Sequence, residues 1–128
     1  MQAETRQKIL VVDDDDSIRA MVTRVLAREA FQVDCARDGF EAIEKLSGAD
    51  YGAVLLDLMM PRIDGHGVLE YLDVERNATP SVIVMTADLH GAAQVTRSRP
   101  VWRILPKPFD IRQLVSHVRE LAGVDPTA

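Results

Sequence analysis

The stretch ILVVDDDDSIR, from Ile9 to Arg19, runs four apolar residues into four consecutive carboxylates, Asp13, Asp14, Asp15 and Asp16. Three other apolar runs also finish on a side chain with chemical capacity: AVLL on Asp57, VIVM on Thr86 and VWRILP on Lys107. Brought together, such carboxylates, a hydroxyl and an ammonium would hold a cation and accept an anion. Two like unit charges ~4 Å apart cost about 4 kcal/mol at an effective dielectric of about 20, so crowded carboxylates need neutralising. A divalent cation does this. Ligation by a few oxygens suits Mg²⁺, which keeps several waters and favours an accompanying phosphate.

On this reading Asp13 and Asp14 hold the metal. Asp57 is the nucleophile, a carboxylate that attacks phosphorus to form an acyl phosphate while metal and Lys107 screen the incoming charge. Thr86 donates its hydroxyl to a phosphoryl oxygen. Asp15 and Asp16 lie past the strand, where water and the start of the first helix favour negative charge, and Asp16 is the expected cap. Taken alone, an acidic tetrad is more often a solvated helix start; the matching strand ends decide against that. Neutralising Asp13 and Asp14 together is expected to weaken Mg²⁺ binding and raise metal-free stability.

The elements that must gather these residues are legible in the pattern. Apolar runs at 9–12, 31–36, 53–56, 82–85 and 101–105 are short, rich in Val and Ile and largely without alternation, as in parallel strands covered on both faces. Helical stripes lie between them: Ile18, Met21, Val22, Val25 and Leu26 in one, and Ile111, Leu114, Val115, Val118, Leu121 and Ala122 in another. Asp38 with Glu41 and Asp110 with Gln113 have capping-box spacing, predicting helices from about Gly39 to Ser47 and from about Ile111 to Gly123. A third helix is expected over Val68 to Glu75 after DGHG, and a short or irregular fourth over LHGAAQVTRSRP. Strict alternation gives an α/β, doubly wound five-stranded parallel sheet with helices on both faces. Ligands bind such sheets outside the carboxyl ends of the strands, where Asp13, Asp57, Thr86 and Lys107 stand.

The 128 residues suit one domain: 1–7 an N-terminal extension, 8–122 the folded unit and 123–128 a loose C-terminal tail. The net charge of -5 is uneven, with 16 acids and 9 bases in residues 1–85 against 4 and 6 in 86–128, and it does not suggest direct nucleic-acid binding. No apolar run approaches the ~20 residues that cross a bilayer, and MQAETRQK lacks the apolar stretch of a signal peptide. The one cysteine, Cys35, reads as core filling in a reducing, cytoplasmic setting.

ILVVDDDDSIR, AVLLDLMMPRIDG, VIVMTA and LPKPF, in that order and spacing, resemble the receiver domain of two-component response regulators over roughly Lys8 to Ala122. The resemblance implies flavodoxin-like strand order 2-1-3-4-5 and a phosphoaspartate at Asp57. It further implies Mg²⁺ on Asp14, Asp57 and the backbone carbonyl of Met59, with Asp13 acting through water, and a cis Lys107-Pro108 bond. The donor it implies is a phosphohistidine on a sensor histidine kinase or a histidine phosphotransfer protein. A downstream protein target would read the face of the fourth helix, fifth strand and fifth helix, either in a stand-alone switch or in a chain severed from its output or kinase partner. Such a domain is no turnover enzyme, since it transfers phosphoryl only onto itself and then loses it. Receivers usually carry Tyr or Phe three residues before the lysine; here stands Ile104, with Trp102 on the same face by strand parity.

Two rivals remain. A metal-dependent aspartyl phosphatase wants a second acid two residues after its nucleophile, where this chain has Met59. A receiver-like protein-binding module that is never phosphorylated would tolerate loss of the aromatic. Met59 and Met60 read as loop packing, although Met59 and Asp88 resemble family positions that tune phosphoaspartate lifetime. Arg97, Arg99 and Arg103 read as a solvated basic patch, with docking of an acidic partner as the alternative. His66, His90 and His117 have no second ligand at metal spacing and read as surface or helix-packing residues.

Overall fold

The computed structural model describes residues 8–60, 64–75, 80–87, 90–93 and 103–121. The chain alternates β1 (Lys8–Val12), α1 (Asp16–Arg28), β2 (Gln32–Ala36), α2 (Gly39–Gly48), β3 (Ala53–Asp57), α3 (Gly65–Glu75), β4 (Ser81–Thr86), α4 (described over residues 90–93), β5 (Arg103–Pro106) and α5 (Ile111–Leu121). The strands form one parallel sheet in the order β2-β1-β3-β4-β5, as the resemblance implied. Order reverses at β1, so β1 and β3 are neighbours, and the carboxyl ends of Val12 and Asp57 open onto one crevice.

Strand parity divides the core. Ile9, Val11, Leu55, Ile83, Met85 and Leu105 face α1 and α5, meeting Val22, Leu26, Leu114 and Val118. Leu10, Val12, Val54, Leu56, Val82 and Val84 face the other way, against α2 and α3 through Ala42, Leu46, Val68, Leu69 and Leu72. Because β1, β3 and β4 are covered on both sides, both parities are apolar and the runs lose alternation. At ~25 cal/mol per Å² of apolar surface, each fully buried Leu or Ile contributes about 2 kcal/mol. That aliphatic packing holds the rim rigid.

Several expectations need correction. β2 is an edge strand, and all of it but Ala36 is exposed or half-covered, so the reading of covered faces fails there. Cys35 is accordingly half-buried rather than core; its Sγ lies 3.1 Å from Thr23 Oγ1 beside a shallow groove of about 430 Å³. Ile111, placed in a buried stripe, is exposed at the first position of α5. α3 begins at Gly65, three residues before the expected Val68, and β5 continues to Pro106.

The caps hold in substance. Asp38 accepts from the Glu41 N–H at 2.8 Å, while Asp110 accepts from Arg112 N–H, one position earlier than the box spacing predicted. Trp102, Arg97, Arg99, Asp88, Ala122, the extension 1–7 and the tail 123–128 lie outside the described residues. The bounds of the extension and tail are therefore still expectations.

Candidate functional site

The four carboxylates after β1 have four different fates. Asp13 is fully buried: its Oδ1 accepts the Asp15 N–H at 2.9 Å and its Oδ2 meets Lys107 Nζ at 2.6 Å. Asp15, and not Asp16, is the N-cap of α1, accepting from Ser17 and Ile18 N–H groups at 2.9 and 3.1 Å. The loop is one residue shorter than Asp16 capping would need, which leaves Asp16 in the first turn, paired with Arg19. Asp14 is exposed, and among the described residues its carboxylate has no hydrogen-bond or ion-pair partner.

Asp57 ends β3 with only 5% of its surface accessible. Its Oδ1 accepts the Met59 N–H at 3.1 Å and its Oδ2 lies 3.2 Å from Lys107 Nζ. Burial pushes this carboxyl up from its ordinary value of 3.8 and Asp13 adds to the rise, although the Met59 N–H and the Lys107 charge oppose it. For Lys107, burial by itself favours the neutral amine. The hydrogen bond and charge of Asp13, with those of Asp57, outweigh it, and the ammonium is held above its ordinary range.

The Lys107 N–H donates to the Thr86 carbonyl at 3.0 Å, and the Lys107-Pro108 bond is cis, as the resemblance implied. Thr86 is fully buried at the end of β4, one residue beyond Met85, the partner of Asp57 across the sheet. Ile104 pairs in register with Val84 and packs against the α2 and α3 side of the core.

Carboxylate oxygens of Asp13, Asp14 and Asp57 lie within 4.8 Å of one another. Among the described residues this donor set consists of hard oxygens with no nitrogen or sulfur, one member has no protein partner, and the single ammonium leaves a formal excess of two negative charges. Those features fit a hard divalent cation with open positions for water and anion. Lys107 already contacts two of the three carboxylates, however, so mutual repulsion is weaker than crowded acids alone imply. Asp13 in particular is paired, and neutralising it would leave the lysine only its longer contact with Asp57. For the Asp13 and Asp14 double neutralisation, expected to stabilise the metal-free protein, the geometry sets two effects against each other: relief of repulsion at Asp14 and loss of the Asp13–Lys107 pair.

Sequence reasoning missed Gly65. A Cβ built there would sit 2.6 Å from Leu58 Cα and 2.7 Å from the Asp57 carbonyl oxygen, and the Gly65 N–H donates to Leu58 O at 3.2 Å. Only a glycine lets α3 close so tightly over the end of β3. The DG pair after the loop was the available signal. Arg19 was missed too: it donates from Nη1 to the Asp13 carbonyl at 2.8 Å. Met59 is 63% exposed, so loop packing describes Met60 and not Met59. His66 and His90 are exposed and His117 is half-buried on α5, where burial and Arg103 lower its affinity for a proton. Arg103, the described member of the basic patch, meets Glu120 at 3.3 Å.

Residues 9–119 match the family model described as response regulator receiver domain. The chain is 33% identical over 114 residues to the response regulator MprA of Mycobacterium sp. (strain KMS), an alignment covering 89% of this chain and 50% of that protein. It thus spans about half the length of the curated relatives it matches. Among solved structures, a signal receiver domain from Bermanella marisrubri is 35% identical with a TM-score of 0.80, covering 90% of this chain and 97% of that one. The response regulator TrrA of Thermotoga maritima, solved in complex with Mg²⁺-BeF, is 30% identical with a TM-score of 0.78, covering 89% and 97%.

Proposed function

This chain belongs to the response regulator receiver domain family, and from that premise we propose that Asp57 is its phosphoacceptor. One observation carries the reading: a nearly buried carboxylate at a strand end touches a lysine and lies beside two further acids, one of them without a partner among the described residues.

An Asp57 oxygen attacks the phosphorus of a phosphohistidine on a sensor histidine kinase or a histidine phosphotransfer protein. The P–O bond forms as the P–N bond breaks, and the released imidazole takes a proton from water. Lys107 keeps its proton throughout and shifts its ammonium from the carboxylates to the new phosphoryl oxygens. The Thr86 hydroxyl donates to one of those oxygens. Asp14, Asp57 and the Met59 carbonyl would hold Mg²⁺, with Asp13 acting through water, and the bound ion would supply neutralisation of the charge on the phosphoryl group.

The added charge then biases the Thr86 and β5 side of the domain between two populations, which a protein target reads through α4, β5 and α5. The chain is a switch that modifies and resets itself, in a cytoplasmic setting. No helix among the described residues is long and apolar enough to cross a membrane.

The test is intact mass after incubation with Mg²⁺ and a small acyl phosphate. One phosphoryl adduct is expected, absent in Asp57→Ala and diminished without Mg²⁺. No adduct with any donor would favour a protein-binding module, and sustained release of phosphate from an added phosphoester would favour a phosphatase.

A further inference from the structure

Asp14 is the one carboxylate of the acidic cluster with no partner among the described residues, so something other than its own contacts must aim it. The peptide that joins it to Asp13 is not free. Its carbonyl accepts from Arg19 Nη1 at 2.8 Å, while Nη2 of the same guanidinium meets Asp16 Oδ1 at 2.5 Å. The Arg19 side chain is only 18% exposed, lodged one turn inside α1 between the acid loop and the helix. Rotation of that peptide plane changes ψ of Asp13 and φ of Asp14, and with them the direction of the Asp14 Cα–Cβ bond. A planar fork gripping a carbonyl with one arm and a carboxylate with the other resists the rotation, as a single ammonium does not.

We propose that Arg19 is a positioning residue for the cation site: by holding the Asp13–Asp14 peptide it keeps the Asp14 carboxylate beside Asp57. The inference rests on the Mg²⁺ reading of the cluster and adds a residue that touches neither metal nor phosphate. It makes a prediction opposite in sign to simple electrostatics. Arg19 is a cation near a site for a cation, so if charge were its whole effect, removing it would tighten Mg²⁺ binding. If it orders the loop, removal weakens binding despite the more negative site.

Titration calorimetry of the full chain with MgCl₂ at fixed ionic strength, well below the thermal transitions of all proteins compared, decides between these. In Arg19→Gln the Kd for Mg²⁺ is expected to rise roughly tenfold, the scale on which groups supporting metal ligands act. Arg19→Lys keeps the charge but not the fork, and its Kd should lie between wild type and Arg19→Gln. An Arg19→Gln Kd equal to or below that of wild type overturns the proposal. Should Arg19→Gln fail to fold without metal, Arg19→Lys carries the test, and a wild-type Kd there is the refuting result. If wild type itself shows no Mg²⁺ binding, the cation reading falls and this proposal with it; wild-type binding with unaltered variants removes the positioning role alone.

Discussion

Two clusters on this sheet pair aspartate with lysine, and they differ in how their charges balance. Near the end where β1 and β3 begin, Asp34 accepts from the Tyr51 hydroxyl at 2.7 Å, with Lys8 Nζ 4.0 Å away and lying 5.2 Å from the Tyr51 ring centroid. Burial and the Asp34 carboxylate push the Tyr51 phenol far up, so it stays a neutral donor. One acid meets one base and one hydroxyl, and nothing is left over. At the other end three carboxylates crowd one ammonium, and the best-paired acid, Asp13, is also the most deeply buried. A cluster that serves only the fold settles its own charge. A cluster that keeps a negative excess on a rigid rim favours the approach of a cation.

The sharpest way to break this contrast is to remove each lysine. Lys107→Met leaves Asp13 and Asp57 without their shared cation in a buried setting, where losing one partner of an ion pair costs about 3 kcal/mol. Urea unfolding without metal should show that loss, and added Mg²⁺ should recover part of it. Lys8→Met, where the side chains are 31% and 40% exposed, should cost under about 1 kcal/mol and be indifferent to Mg²⁺. Equal losses from the two variants would erase the distinction between the clusters.

How much of this was legible depends on whether a signal was local or a matter of contact. The strand-end residues Asp13, Asp57, Thr86 and Lys107 were readable because parallel strands bring their carboxyl ends to one edge wherever they sit in sequence. The edge position of β2 was less so: the run from Phe31 to Ala36 is apolar enough to pass for a covered strand, and neighbours decide coverage. Asp15 took the cap from Asp16 because a hydrogen bond from Asp15 N–H to Asp13 tightens the loop by one residue. Arg19 carries no spacing signature at all. Its role appears only when the guanidinium is seen on a main-chain carbonyl.

Gly65 gives the next largest effect and tests whether the acidic rim depends on backbone fit. In Gly65→Ala the new methyl would lie 2.6 Å from Leu58 Cα, so α3 or the end of β3 must shift. Overpacking of this kind costs about 2 kcal/mol. Because the displaced backbone is that of Asp57 itself, adduct formation with a small acyl phosphate should slow while Tm falls. A fall in Tm with an unchanged adduct rate at a temperature where the variant is fully folded would mean that the Asp57 carboxylate does not depend on this approach.

At the balanced cluster, Tyr51→Phe removes one hydrogen bond and leaves Asp34 with a distant lysine, a loss of about 1 kcal/mol. Adduct formation should be untouched, since Asp34 and Tyr51 are no part of the rim that carries Asp57. A measurable change in the adduct rate would mean that the two ends of the sheet communicate.

Asp57→Asn should act in the reverse direction and least. Burial raises the Asp57 carboxyl above its ordinary 3.8, so the folded state binds this proton more tightly than the unfolded chain does. The group's contribution to stability is therefore fully present below the unfolded value and is lost as pH rises through the raised folded value. Above that window the ionised carboxylate is a net burden in the metal-free protein, only partly relieved by the Met59 N–H and Lys107. Asparagine presents no charge at any pH. The variant should match wild type in acid and gain in Tm over it once pH passes the window, with the gap closing again when Mg²⁺ stabilises wild type alone. A variant less stable than wild type at neutral pH without metal would show that Lys107 fully compensates Asp57, and that the excess charge resides on Asp14 alone.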